Sequence, residues 1–271
     1  MRVLVLGAGY VGGALAIQLT AGGHKVEAVS RTSGVDITNI ADLKRLGRDW
    51  DWVVNTVSSS RGGVEDYRRV FLEGTRNIIE WLSGSRLQKY VYTSSTSVYG
   101  QTEGSWVDET SLTQPHSETS RILFETEKLL SDLPAVILRV AGIYGPERGF
   151  LFQQYLRGEA TITGDGSRYL NMIHRDDVVR ALMDALERAA TGETYNVADD
   201  QPVTQVEFFQ WLSTTLNRAM PPFAPEPASR KRGVTNKRVS NRKLREQLGC
   251  ELAYPSYRAG YRALIARLGG K

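Results

Sequence analysis

The residues with the clearest chemical purpose stand at the start of the chain. Gly7, Gly9 and Gly12 form the pattern G-x-G-x-x-G. In such a turn the first glycine permits a tight bend, the second lets the backbone approach a pyrophosphate, and the third lets the following helix pack close to the preceding strand. The free N–H groups and positive dipole end of that helix then face the phosphates. The spacing assigns Gly7, Gly9, Tyr10, Val11 and Gly12 to a dinucleotide. About 20 residues further on, a site for NAD carries a carboxylate for the ribose 2′-hydroxyl. Here Val29, Ser30 and Arg31 occupy that place. With no acid there to repel a 2′-phosphate, and with Arg31 able to pair with one, NADP is favoured over NAD. Glu27 lies on the same stretch but too early to reach the ribose.

Such a turn needs a strand before it and a helix after it, and the pattern supplies both. Residues 2–6 are a short apolar run suited to a buried parallel strand, and residues 11–21 follow with helical spacing until Gly22-Gly23. Strands are expected at 25–30, near 35–37, and at 52–57, 88–94 and 135–140, with helices at 40–46, 64–82 and 118–130. Thr56 and Val57, at the end of the third long strand, complete the expected cofactor contacts. This alternation implies an α/β fold, a Rossmann-type doubly wound parallel sheet. Beyond Gly145-Pro146 the pattern is less regular. It predicts a helix at 176–190, a strand at 194–197, a helix at 204–216, a proline-rich loop over 220–233, and a helix at 241–248 capped by Ser240 and closed by Gly249. The expected organisation is a dinucleotide-binding core over 1–145 and a small C-terminal substrate lobe over 146–271, with segments near 171–198 returning to the core.

The chain has 271 residues, 41% of them hydrophobic, enough for one large core with a small appendage. Its 34 basic and 30 acidic residues leave a net charge of +4, which argues for no nucleic acid but leaves room for an anionic ligand. Cys250 is the single cysteine, so no intramolecular disulfide is expected and a reducing, cytoplasmic compartment fits. Residues 1–6 read as a strand and not as a leader. No run of 18 apolar residues occurs, so no membrane span is expected. Three histidines without paired Cys or His spacing argue against a catalytic metal.

Beyond the glycine turn, a set of short motifs resembles one family. They include Asp36-Ile37, Glu73-Gly74-Thr75-Arg76-Asn77, the run from Thr93 through Ser95 to Tyr99-Gly100, Leu138-Arg139, Ile143-Tyr144-Gly145-Pro146, Ile173-His174-Arg175-Asp176-Asp177 and Tyr195-Asn196-Val197. Across nearly its whole length the chain resembles the extended short-chain dehydrogenases/reductases, the NAD-dependent epimerases and dehydratases acting on nucleotide sugars. The resemblance implies an adenine contact at Asp36 and Ile37 and a catalytic hydroxyl at Ser95. It also implies a Tyr followed four residues later by Lys, the Lys helping to lower the Tyr pKa so that the phenol serves as acid or base. This sequence departs there. Aligned on Glu127, the positions hold Thr119 and Leu123, and none of the 12 tyrosines has a lysine four residues on. An aliphatic alcohol starts several pKa units above a phenol, and Leu123 brings no charge to help. In this respect the chain is similar to the atypical branch of the superfamily.

Other polar residues are candidates for the missing role. Tyr99 is the nearby phenol at a strand end, with simple packing as its other reading, and Glu118 a nearby carboxylate, although Ser117 or Glu118 also suits the start of a helix. Arg121, otherwise a surface ion-pair residue, and Tyr144 are candidate substrate contacts, as is Arg238 in a basic stretch running from Arg230 to Arg245 that reads either as a solvated face or as suiting a phosphorylated or nucleotide-linked small molecule. His174 reads as structural. Relatives often dimerise through the helices at 64–82 and 118–130, and a homodimer is carried over on that resemblance alone. Two functions stay open: a divergent NADP-dependent oxidoreductase or epimerase with a rearranged acid–base, and a non-catalytic dinucleotide-binding redox sensor or scaffold.

Overall fold

Val3, Leu4, Val5 and Leu6 are fully buried, as is the Val53-Val54 pair, because these strands are covered by helices on both faces. A computed structural model describes residues 1–59, 62–225 and 235–269. The first half runs β1 (Arg2–Leu6), α1 (Gly12–Ala21), β2 (Lys25–Val29), α2 (Ile40–Arg45), β3 (Trp52–Asn55), α3 (Val64–Tyr67), α4 (Gly74–Leu82), β4 (Lys89–Ser95), β5 (Ser105–Val107), α5 (Glu118–Leu129) and β6 (Ala135–Val140). The second half runs β7 (Gly142–Tyr144), α6 (Phe150–Arg157), β8 (Ile162–Thr163), β9 (Tyr169–Leu170), β10 (Met172–His174), α7 (Arg175–Arg188), β11 (Thr194–Val197), β12 (Val203–Thr204), α8 (Gln205–Leu216), β13 (Phe223–Ala224), β14 (Lys237–Val239), α9 (Arg242–Glu246) and α10 (Tyr257–Gly269).

Six strands form one sheet in the order β11-β6-β4-β3-β1-β2. Every pairing in it is parallel. The chain leaves β1 in one direction to β2 and then returns to the other side of β1 as β3. That reversal opens a crevice at the carboxyl ends of β1 and β3, the usual place for a ligand in an open parallel sheet. The main hydrophobic core lies on both faces of this sheet and takes in Leu244, Leu248 and Cys250 from the C-terminal part. A second core, built on Tyr144, Phe152, Phe208, Phe209 and Tyr261, holds the smaller lobe. Cys250 is a buried free thiol.

Three expectations are corrected. Residues 35–37 form no strand, because the Asp36 amide donates to Asp42 and the Asp36 carboxylate takes the Thr38 amide and hydroxyl, so their polar groups are spent within a turn. The long helix at 64–82 contains a π-helical stretch, Arg68–Glu73, between α3 and α4. Within the proline-rich segment, Phe223 and Ala224 pair in parallel with β8 and so are strand rather than loop. Residues 226–234, which include Arg230, Lys231 and Arg232, lie outside the described residues.

Candidate dinucleotide and substrate site

The turn after β1 is dictated by close backbone approach. Gly7 has φ 97°, and a Cβ there would stand 2.7 Å from the Val57 nitrogen. At Gly12 a Cβ would collide with the Gly7 carbonyl oxygen and with Thr56 Oγ1. Thr56 Oγ1 donates to the Gly7 carbonyl at 2.9 Å, so the end of β3 pins the turn. Gly9 differs, since a Cβ there would meet nothing within 4 Å. The space above Gly9 is open, as the approach of a pyrophosphate requires. The amides of Tyr10 and Val11, just before α1, have no acceptor among the described residues and point the helix N-terminus at that space. These residues fit a dinucleotide.

From this turn one groove runs in two directions. On the β2 side a cavity of about 290 Å³ is lined by Gly7, Gly9, Ser30, Arg31, Asp36 and Ile37, among others. Ser30 caps the short turn Arg31–Ser33, and the Arg31 side chain is exposed with no ion-pair partner among the described residues. Ile37 is fixed from the long helix: its carbonyl accepts from Asn77 Nδ2 at 3.0 Å, and its side chain lies where a Cβ on Gly74 would be, 2.7 Å away. The Gly74…Asn77 motif thus positions the Asp36-Ile37 loop.

On the β4 side a cavity of about 220 Å³ shares Gly9, Thr56, Val57 and Ser58 with the first and continues past Tyr10 and Val11 to Ser95. Tyr10 donates to the Pro146 carbonyl at 2.9 Å and has the Arg148 and Arg175 guanidiniums over its ring. Burial pushes its pKa up, against the pull of those arginines. Leu123 lines the same cavity as Ser95.

The structure does not gather the other candidate catalytic groups here. Tyr99 is wholly buried behind β4, donates to Asn196 Oδ1 at 2.9 Å and accepts from Arg139 Nη1 at 2.9 Å. Its pKa is raised, chiefly by burial. Arg139 in turn pairs with Glu127 at 2.7 Å, which also takes the Ser94 hydroxyl. Tyr99 is therefore a member of a buried network beneath the sheet, and its phenol is not on the cavity wall. Ser117 caps α5 by accepting the Ser120 amide, which leaves Glu118 in the first turn, 55% exposed and paired with Arg68. Thr119 is buried with its hydroxyl 3.2 Å from that of Ser117. Arg121 folds back on the Pro115 and His116 carbonyls. None of Glu118, Thr119 and Arg121 lines the groove. Helical phase accounts for Glu118 and Arg121, which turn to the surface while Leu123 faces the groove; Thr119, one turn before Leu123 on the same face, is buried beside the Ser117 cap.

Beyond Ser95 lies a third cavity, of about 310 Å³, which shares Ser95, Ala141, Gly142 and Ile143 with the second. Tyr144 lines it, stacked on Tyr261 at 4.4 Å. Arg238 does not line it; its guanidinium donates to the Gly104 carbonyl and packs over Trp106 and Tyr169. Its neighbour Lys237 does, buried to 5% exposure. Sequence reasoning passed over Lys237 as one basic residue in a basic stretch. The alternation of β14 was the available signal, since adjacent strand residues face opposite sides. His174 sits below, accepting the Asp176 amide through Nδ1, and burial lowers its pKa to about 4, so it is neutral and structural. Among the described residues no cluster of His, Cys, Asp and Glu suits a metal, and no helix is long and apolar enough to cross a membrane.

A glycine turn on the reversal point of a parallel sheet, with a helix N-terminus aimed across it, defines the class of Rossmann-type dinucleotide-binding proteins. Within that class, the model of the NAD dependent epimerase/dehydratase family matches residues 3–198, and the chain belongs to that family. Membership of that family supports the binding of a nicotinamide dinucleotide. The chain is 28% identical over 276 residues to protein YeeZ from Escherichia coli K12, covering 94% of this chain and 96% of the other. It is 28% identical over 305 residues to a 3-diazoavenalumate denitrifying reductase from a Streptomyces species, covering 96% and 99%. A solved structure from Methylobacillus flagellatus, provisionally assigned as an NAD-dependent epimerase/dehydratase, superposes with a TM-score of 0.84 at 30% identity, covering 98% of both chains.

Proposed function

We propose that the protein is an NADP(H)-dependent reductase of a small molecule, working without the tyrosine–lysine pair of its family. One observation carries this reading: Ser95 lines both the cofactor groove and the cleft beyond it, so a substrate in the cleft meets the cofactor at a placed hydroxyl. A sensor would need the groove but not the cleft. The nicotinamide, when bound, supplies or accepts a hydride. Ser95 orients the reacting atom by a hydrogen bond, and Leu123 and Phe71 add apolar surface to the same cavity. Epimerisation takes a proton from the substrate and later returns it, and so leans twice on the group that Thr119 and Leu123 have replaced. Reduction needs one proton once, or none where the acceptor is already a cation. The denitrifying reductase among its relatives supports that choice. Arg31, exposed at the β2 end of the groove and without an acidic partner, supports NADP over NAD.

The test is binding followed by turnover. Purified protein is expected to quench and shift NADPH fluorescence more tightly than NADH, and to oxidise NADPH with a carbonyl or other hydride acceptor in a reaction lost in Ser95→Ala. Tighter binding of NADH would overturn the cofactor assignment. Turnover that survives Ser95→Ala would overturn the role of Ser95. Tight NADPH binding with no turnover over a broad acceptor panel would favour the sensor.

A further inference from the structure

The cleft beyond Ser95 contains a charged group that the reductase reading leaves unused. Lys237 begins β14, whose pairing with β5 holds it over the turn Thr96–Val98 that follows Ser95. Its Nζ donates to the Tyr99 carbonyl at 2.9 Å and to Thr235 Oγ1 at 3.0 Å. Both partners are neutral. An ammonium has three donors, and neither a third acceptor nor a carboxylate stands within reach among the described residues. Burying an uncompensated charge is costly, and lysines that serve only packing keep an acid beside them or leave the ammonium in water. Here burial, with a smaller push from the positive charge of Arg168, lowers the lysine to about 8.

The surroundings share one preference. The Ser97 hydroxyl, on the same turn, is buried with no partner among the described residues. Arg168 lines the same cavity, and no Asp or Glu does so among the described residues. At the mouth stand Leu151 and Phe150, the latter 74% exposed. A third ammonium hydrogen and an unsatisfied hydroxyl on one cavity together match an acceptor with negative charge.

We propose that Lys237 and Ser97 bind an oxyanion, a carboxylate or a phosphate, on a substrate whose apolar body lies under Phe150 and Leu151. That the ligand is a substrate rests on the reductase reading; that the oxyanion binds there does not.

The test is calorimetric titration of the full chain, with and without NADPH, using benzoate, phenyl phosphate and the neutral benzamide. The two anions are expected to bind at least about tenfold more tightly than benzamide, with Lys237→Met and Lys237→Gln both losing at least about tenfold in anion affinity. NADPH affinity should not change in either variant, which also shows that they fold. In wild type the anion affinity should fall as pH rises through about 8, where the lysine loses its proton, and binding near that pH should take up protons from buffer. The Arg168 guanidinium would give no such dependence, since it keeps its charge. The tighter of the two anions identifies the carboxylate or the phosphate class. Equal binding of benzamide, unchanged affinity in a folded Lys237→Met, or no pH dependence across that range would each overturn the proposal. The wild-type pH series decides the matter should both variants fail to fold. Anion binding as expected with no acceptor ever reduced would leave the oxyanion site standing and sink the reductase reading alone.

Discussion

The two ends of the cofactor groove are built on different principles. At the β2 end the requirement is backbone geometry: Gly7 and Gly12 have no room for a Cβ, Thr56 ties the turn to β3, and Gly74 makes space for Ile37. At the β4 end the requirement is side-chain chemistry, and there Leu123 and Phe71 line the same cavity as Ser95, beside the Tyr67 phenol ring. A turn held by close backbone approach loses stability on almost any replacement at its two crowded glycines. A helix face presenting an acid or a base can be exchanged for one presenting leucine, and packing improves while the chemistry disappears. On the proposed reading, the dinucleotide site keeps what is built of main chain and departs from its family where it is built of side chains.

The strongest way to probe the β4 end is through the network beneath it. Arg139→Leu leaves the Glu127 carboxylate buried and unpaired, and should lower unfolding free energy by about 3–5 kcal/mol in a denaturant titration. Adding Glu127→Leu should restore most of that loss. If the single substitution costs less than about 1 kcal/mol, the network does not support the wall as described. At the other end, Gly7→Ala should cost about 1–3 kcal/mol from its left-handed φ alone, with NADPH binding lost. Gly9→Ala separates fold from ligand: it should leave the melting temperature unchanged and still weaken NADPH by about tenfold, because only the pyrophosphate needs that space. Equal effects on stability at both glycines would erase the distinction drawn between them. Arg31→Ala should weaken NADPH by roughly tenfold and leave NADH nearly unaffected, as expected for one charge-assisted hydrogen bond. The smallest effect belongs to Glu118→Gln. An exposed pair with Arg68 contributes about 0–1 kcal/mol, and turnover should be retained. Loss of turnover there would return Glu118 to the reacting centre.

Much of this was legible in the residues themselves. The strand–turn–helix around Gly7 to Gly12 and the strands at the centre of the sheet follow from short apolar runs and glycine spacing, and the bounds of β6 and β11 agree with the pattern. What the residues left open was anything decided by side-chain direction or distant contact. Tyr99, a phenol at a strand end, finds Asn196 97 residues away and Arg139 40 residues away. Residues 35–37 looked extended, yet their polar groups close a turn on Asp42.

The amino-acid sequence by itself determined that a glycine turn joins the first strand to the first helix, and that no tyrosine is followed four residues on by a lysine, because each of these depends on residue identity over a few neighbouring positions. Only the tertiary structure decided that Glu118 and Arg121 turn away from the groove, that Leu123 faces it, and that Lys237 rather than Arg238 enters the cleft. Those outcomes depend on how helix and strand faces are rotated against the sheet, and that rotation is set by the packing of residues far apart in the chain.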